Sequence, residues 1–160
     1  MIIRPIDASE TNAVSELLVT AYVSGGHLSA DSPYTLELRD VASRLKYTWV
    51  AEVGGNIVGT ISLCPPDGTS PAMLSRENEY EFRFLAVSPD SWGSGVGQAL
   101  VTECEVQARA HGSVKIVISV IDRNERALQF YALQGYTRMP ERDWSPERTP
   151  VQILALTKNL

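Results

Sequence analysis

The chain has little of several things, and each shortage narrows what it can be. Two of its 160 residues are cysteine, Cys64 and Cys104, set far apart. That is neither the paired spacing of a zinc site nor the number needed for a disulfide framework, and no bound metal is expected. Basic residues are outnumbered, 14 Lys and Arg against 19 Asp and Glu, for a formal charge of −5. The basic footprint of a protein that binds nucleic acid or an anionic membrane is therefore missing, and an anionic ligand has to be held by local geometry. No apolar run approaches the roughly 18 residues of a membrane span. The opening MIIRPIDASE also lacks the apolar stretch of a secretory signal, so a cytoplasmic location is expected. Lys and Arg are absent throughout 84–108, the stretch that holds the chain's densest glycine cluster.

What is present is ordinary for a globular domain: 44% hydrophobic and 21% charged residues, enough chain for one core over 1–160. MIIRP reads as a first strand. Asp7 and Glu10 have capping-box spacing, and Val14, Leu17, Leu18, Ala21 and Tyr22 recur at helical intervals, predicting a helix over 8–23. A second, charged helix is predicted over 34–47. TWVAEVGGNIVGTISLC reads as a hairpin around a tight Gly-Gly-Asn turn, followed by a proline-rich loop. EYEFRFLAV (79–87) is a strand whose second half is uniformly apolar. A helix over 95–111 with Val96, Leu100, Cys104 and Ala108 as its stripe follows, then the β-branched strand VKIVISVID. A helix capped by Asn124 and closed by Gly135 comes next, and VQILALT is the last strand. Strands and helices interleave in a mixed α/β order.

SPDSWGSGVG (88–97) joins the fourth strand to the third helix. A glycine-rich turn at that place aims backbone N–H groups and the positive end of the helix dipole at one point, a ready anion site. The spacing excludes a Walker loop, since Gly97 is followed by Gln98 and Ala99. It also excludes a dinucleotide fingerprint, which needs GxGxxG in the first strand–helix unit. Taken alone, the loop is either an anion cradle or a close strand–helix turn.

FLAVSPDSWGSGVGQALV followed by NERALQFYALQGY resembles the GNAT superfamily of acetyl-CoA-dependent N-acetyltransferases. Pro89, Gly93, Gly95 and Gly97 match the first family motif, and Asn124, Ala127, Tyr131, Gly135 and Tyr136 match the second. Trp92 stands where the family most often has Arg or Gln, and its indole offers one hydrogen bond and no charge. The resemblance implies a single-domain fold with a mixed, mostly antiparallel sheet flanked by helices and splayed between its fourth and fifth strands. It implies acetyl-CoA as co-substrate, with an amine of a small molecule or peptide as acceptor, attacked directly in a ternary complex. The pantetheine arm would pair with the main chain of Leu85, Ala86 and Val87, and the pyrophosphate would rest on Trp92, Gly93, Ser94, Gly95, Val96 and Gly97. Asn124, Ala127 and Tyr131 would line the arm. Relatives are often dimers, which keeps a homodimer open. A non-catalytic acyl-CoA-binding sensor or partner module is the alternative reading.

Tyr131 is the candidate acid: a tyrosine, with a reference pKa of about 10, can protonate a leaving thiolate of about 8.5. A tyrosine whose hydroxyl merely satisfies a backbone carbonyl is the competing account. Glu79 and Glu81 share one face of their strand and are candidate bases for the amine, or else a solvated charged edge with Arg83 beside them. Arg123 and Arg126 flank Asn124 within reach of a 3′-phosphate, or are ordinary surface residues. The loops 24–35, 65–78 and 138–150 would recognise the acceptor. Their acids (Asp31, Asp67, Glu77, Glu141, Asp143, Glu147) hint at a cation, diluted by Arg76, Arg138, Arg142 and Arg148.

Overall fold

Asp7 and Glu10 close the predicted capping box: an Asp7 carboxylate oxygen accepts the Ser9 N–H at 2.9 Å and a Glu10 oxygen accepts the Asp7 N–H at 2.8 Å. In this computed structural model, which describes residues 1–147 and 149–160, that box starts a short 3₁₀ turn leading into helix α1 (Thr11–Ser24). Arg148, counted above among the charges of the 138–150 segment, lies outside the described residues. Strand β1 (Ile2–Pro5) precedes the box, and Val14, Leu18 and Ala21 form the buried stripe of α1.

The helix predicted over 34–47 is broken. Helix α2 ends as Tyr34–Arg39, Asp40 leaves helical geometry (ψ 58°), and a separate 3₁₀ segment covers Ala42–Tyr47. Arg44 is the physical reason the break is tolerated. Its buried guanidinium takes the carbonyls released at the end of α2, those of Glu37 (2.8 Å), Leu38 (2.8 Å) and Asp40 (2.7 Å). An apolar stripe cannot report such an interruption, because Leu38 and Val41 are buried on either side of it.

Strands β2 (Thr48–Val53) and β3 (Asn56–Cys64) form the predicted hairpin, with Gly54 and Gly55 both at positive φ (58° and 81°), as a primed two-residue turn requires. Strand β4 (Glu79–Val87), helix α3 (Val96–Ala110), strand β5 (Lys115–Ile121), helix α4 (Glu125–Leu133), the two-residue β6 (Thr137–Arg138) and β7 (Ile153–Asn159) complete the order. The fold is α/β, with helices on a seven-stranded mixed sheet in the order β1-β2-β3-β4-β5-β7-β6. The β4–β5 pair is parallel; β1–β2, β2–β3, β5–β7 and β6–β7 are antiparallel.

The chain packs as two compact units, Met1–Leu63 with Phe84–Val106, and Cys64–Arg83 with Gln107–Leu160. The first has a core of Ile6, Val14, Leu18, Leu38, Val41, Val50, Phe84 and Ala86. In the second, Val117, Met139 and Ala155 are buried together with Leu74 against them. Val96, Leu100, Cys104 and Ala108, the predicted stripe of α3, are all buried, so Cys104 is a core residue; Cys64 is buried as well.

Candidate functional site

Strand β4 changes character at Phe84. The ladder to β5 joins Glu79, Tyr80 and Glu81 to Lys115, Ile116 and Val117, with no further pair among the described residues. Three residues on, Phe84 adopts φ 57°, a left-handed conformation that costs an aromatic residue on the order of 1–3 kcal/mol. Burial of its ring and the Arg44 guanidinium 3.9 Å from the ring centroid hold it there. Beyond Phe84, the Ser88 N–H donates to the Val58 carbonyl of β3 at 2.8 Å. Main-chain groups of successive residues face opposite edges, so the N–H and C=O of Leu85 and Val87 face away from β3, and those of Ala86 face toward it.

The loop after β4 is shaped from within. Ser91 and Trp92 N–H groups donate to the carbonyls of Ser88 and Pro89, and the Ser94 hydroxyl donates to the Ser91 carbonyl at 2.6 Å. Gly93 and Gly95 have φ of 80° and 87°, and a Cβ on either would meet nothing within 4 Å. Backbone conformation, not crowding, makes these two positions glycine. The first helical bond of α3 is Ala99 N–H to the Gly95 carbonyl, so Val96, Gly97 and Gln98 carry N–H groups at the helix end, where no intrahelical acceptor exists. Gly93, Ser94 and Gly95 are exposed and Val96 is buried. The Trp92 indole donates to the Val87 carbonyl at 2.8 Å. This strand–loop–helix element has the elements of an anion cradle, with no cation of its own.

Gly59 was not singled out by the sequence reading, though an isolated glycine inside a strand signals close approach. A Cβ there would lie 2.7 Å from Val96 Cγ1, 3.0 Å from Leu100 Cδ1 and 3.3 Å from the Ala86 carbonyl oxygen. The bare backbone at Gly59 lets the first turn of α3 sit directly on the strand it packs against.

The other predicted residues fall in the second unit. Glu79 and Glu81 are both buried, which overturns the solvated charged edge as an account of them. One oxygen of Glu81, Oε2, accepts three backbone N–H groups, from Met73 (2.8 Å), Leu74 (2.7 Å) and Ser75 (3.3 Å), while Oε1 is buried with no hydrogen-bond partner among the described residues. Glu79 is bound on both oxygens by Arg142, at 2.5 and 3.0 Å, and by the Arg76 N–H at 3.0 Å. Burial pushes the Glu79 carboxyl up, but the hydrogen bonds from Arg142 and Arg76, with the Arg142 charge, hold it below the usual carboxylate range. Arg83 donates to the Pro71 carbonyl at 2.8 Å.

Tyr131 is buried on α4, its ring 5.8 Å from those of Phe82 and Tyr136 and 5.1 Å from Phe130. Asn124 caps α4, its Oδ1 accepting the Ala127 N–H at 3.1 Å, as predicted. Arg123 and Arg126 are exposed. Of the acids expected around the acceptor, Asp143 is bound by Arg138 and the Ala155 N–H, Asp67 accepts from Thr69 and Ser70, and Asp31 from the Ser29 hydroxyl. These three shape their own loops.

Comparison with known proteins agrees with this architecture. The model of the acetyltransferase (GNAT) family matches residues 11–136. Among solved structures, a PaiA N-acetyltransferase from Thermoplasma acidophilum in complex with coenzyme A superposes with a TM-score of 0.78 at 15% identity, covering 99% of this chain and 98% of its own. A GNAT-family acetyltransferase from Staphylococcus aureus gives 0.77 at 18% identity, covering 99% and 98%. A ribosomal-protein-alanine N-acetyltransferase from Brucella melitensis gives 0.67 at 18% identity over the whole of both chains. At such identities these structures establish a shared fold.

Proposed function

Because the chain belongs to the GNAT family of acetyltransferases, we propose that residues 1–160 act as one domain that moves the acetyl group of acetyl-CoA directly to an amine of a small molecule or peptide. The observation that carries the proposal is the β4–loop–α3 element. Outward-facing main chain at Leu85 and Val87 leads into a glycine turn and an exposed helix N-terminus. Edge main-chain groups pair with an extended arm whatever its side chains are, which suits the two amides of pantetheine. The backbone N–H groups of Gly93, Gly95, Val96 and Gly97 and the α3 dipole receive the pyrophosphate without a cation, while the Ser94 N–H is spent on the Ser91 carbonyl.

Glu81 takes the proton that the amine must lose, through Oε1 and an intervening water; its other oxygen is committed to the 73–75 backbone. Glu79, with both oxygens on Arg142, is a structural ion pair in this reading. The amine nitrogen attacks the thioester carbon, the C–S bond breaks, and the Tyr131 hydroxyl gives its proton to the departing sulfur. The protons balance as follows: the ammonium gives one to Glu81 before attack, the nitrogen of the collapsing intermediate gives a second to water, Tyr131 protonates the thiolate, and Glu81 then releases its proton to solvent while Tyr131 is reprotonated from it. An outward N–H at β4 polarises the thioester carbonyl as negative charge develops on its oxygen.

The test is free-thiol release from acetyl-CoA with a panel of amines, run beside calorimetric titration with CoA. Thiol release with at least one amine is expected. CoA binding without release for any amine would make the protein an acyl-CoA-binding module instead, and absence of binding would remove the reading altogether.

A further inference from the structure

Trp92 is the one member of the glycine loop whose side chain is tied to the strand. Its indole is about one-third exposed (36%), yet its single N–H is fixed on the Val87 carbonyl at 2.8 Å. The bond closes the turn between the last residue of β4 and the first glycine of the cradle. Directly after it the backbone has unusual freedom, because Gly93 and Gly95 stand at positive φ with open space around them. Glycines so placed allow a wide range of loop shapes, and only some of them aim the N–H groups of Gly93, Gly95, Val96 and Gly97 at one point. The rest of 84–108 supplies no Lys or Arg to draw in an anion from a distance. Binding a pyrophosphate on backbone alone therefore depends on how well those N–H groups are already positioned.

On the reading proposed above, we infer that Trp92 is a positioning residue for the pyrophosphate loop. Its indole N–H clamps the loop to Val87, so that fixed backbone geometry stands in for a missing cation. A carbonyl oxygen has two lone pairs, so Val87 can keep the indole and still accept an N–H from an arm lying along the strand edge. The clamp thus acts on the pyrophosphate half of the co-substrate and leaves the pantetheine half alone.

Trp92→Phe keeps the ring and deletes the N–H. Calorimetry with CoA and kinetics with acetyl-CoA and with S-acetylpantetheine, which lacks the pyrophosphate, separate the outcomes. Losing one hydrogen bond of ordinary net strength predicts affinity for CoA and KM for acetyl-CoA worse by about three- to tenfold. The expected kcat, the KM for S-acetylpantetheine and the melting temperature are those of the wild type. Unchanged CoA affinity in the variant would overturn the clamp. Tighter binding of both compounds would overturn it too, and would mean that the indole competes for Val87. Equal losses with both compounds would also do so, by showing damage to the strand edge. Wild-type protein that binds neither compound would remove the acetyltransferase reading itself, a result distinct from any of these.

Discussion

The Arg44 guanidinium lies over the ring of Phe84, 3.9 Å from its centroid, and so joins the break after α2 to the left-handed residue of β4. Both features are locally unfavourable, one leaving carbonyls without helical partners and the other placing an aromatic residue at positive φ. One buried side chain offsets both, by hydrogen bonds in the plane of its guanidinium and by stacking on its face. Arg44→Met keeps an apolar body in place and abandons the carbonyls of Glu37, Leu38 and Asp40. The Glu37 carbonyl keeps the Asp40 N–H (3.3 Å) and that of Asp40 keeps the Ser43 hydroxyl (3.0 Å), so the Leu38 carbonyl bears most of the cost, and urea unfolding is expected to show a loss of about 1–3 kcal/mol. A loss within experimental error would mean that water replaces the guanidinium at no cost.

Glu79 and Arg142 give a prediction in pH. The Glu79 carboxyl lies below its ordinary value of 4.5 in the folded state, so the unfolded chain binds its proton first as pH falls. The stabilisation is therefore present in full above about pH 4.5 and disappears as pH drops through the lower, folded value. The stability difference between wild type and Glu79→Gln, measured by urea unfolding from pH 7 to pH 3, should shrink across that acid range. A gap that stays constant would show that the pair contributes nothing through its charge. Arg142→Met, which leaves the carboxylate buried and unpaired, is expected to cost roughly 3–5 kcal/mol at neutral pH.

Much of the fold was legible in the sequence because the signals were periodic or local. The Asp7–Glu10 box, the Gly54–Gly55 turn, the α3 stripe and the Asn124 cap each depend on residues within one or two turns of chain. The glycine loop was legible for the same reason. What escaped were long-range relationships: Arg44 on Phe84, Gly59 beneath Val96, and Arg142 reaching back to Glu79 across 63 residues. Glu79 and Glu81 looked like a solvated edge because charge alternating with aromatics is the pattern of a half-exposed strand. Only the 73–75 backbone and Arg142, folded over them, make burial of two carboxylates affordable.

Gly59 should tolerate nothing larger. Alanine there must push aside Val96, whose branched side chain has little rotamer freedom, or move β3 away from the first turn of α3. Overpacking of this kind costs about 1–3 kcal/mol. Gly59→Ala is therefore expected to lower the melting temperature and, by displacing the N-terminus of α3, to weaken CoA binding. Wild-type values for both would show that the neighbours give way freely.

Tyr131→Phe tests the acid. Phenylalanine preserves the ring contacts with Phe82, Phe130 and Tyr136, so the fold and CoA affinity should survive. Loss of a general acid typically costs about 10²-fold or more in turnover. Turnover equal to wild type would take Tyr131 out of the mechanism.

Glu81→Gln tests the base through pH, which a purely structural role would not follow. The glutamine oxygen can still accept the Met73, Leu74 and Ser75 N–H groups, so the 73–75 backbone stays anchored, while the other terminus becomes an NH₂ that accepts no proton. At pH 7 an aliphatic amine of pKa about 10 is almost wholly protonated, and the variant has nothing in this position to remove that proton. As pH rises toward that value a growing fraction of the amine arrives already neutral, and a base is needed less. The ratio of wild-type to variant kcat/KM should therefore be large at neutral pH and fall toward one by about pH 10. A ratio that does not change with pH would assign Glu81 to anchoring the 73–75 backbone and nothing more.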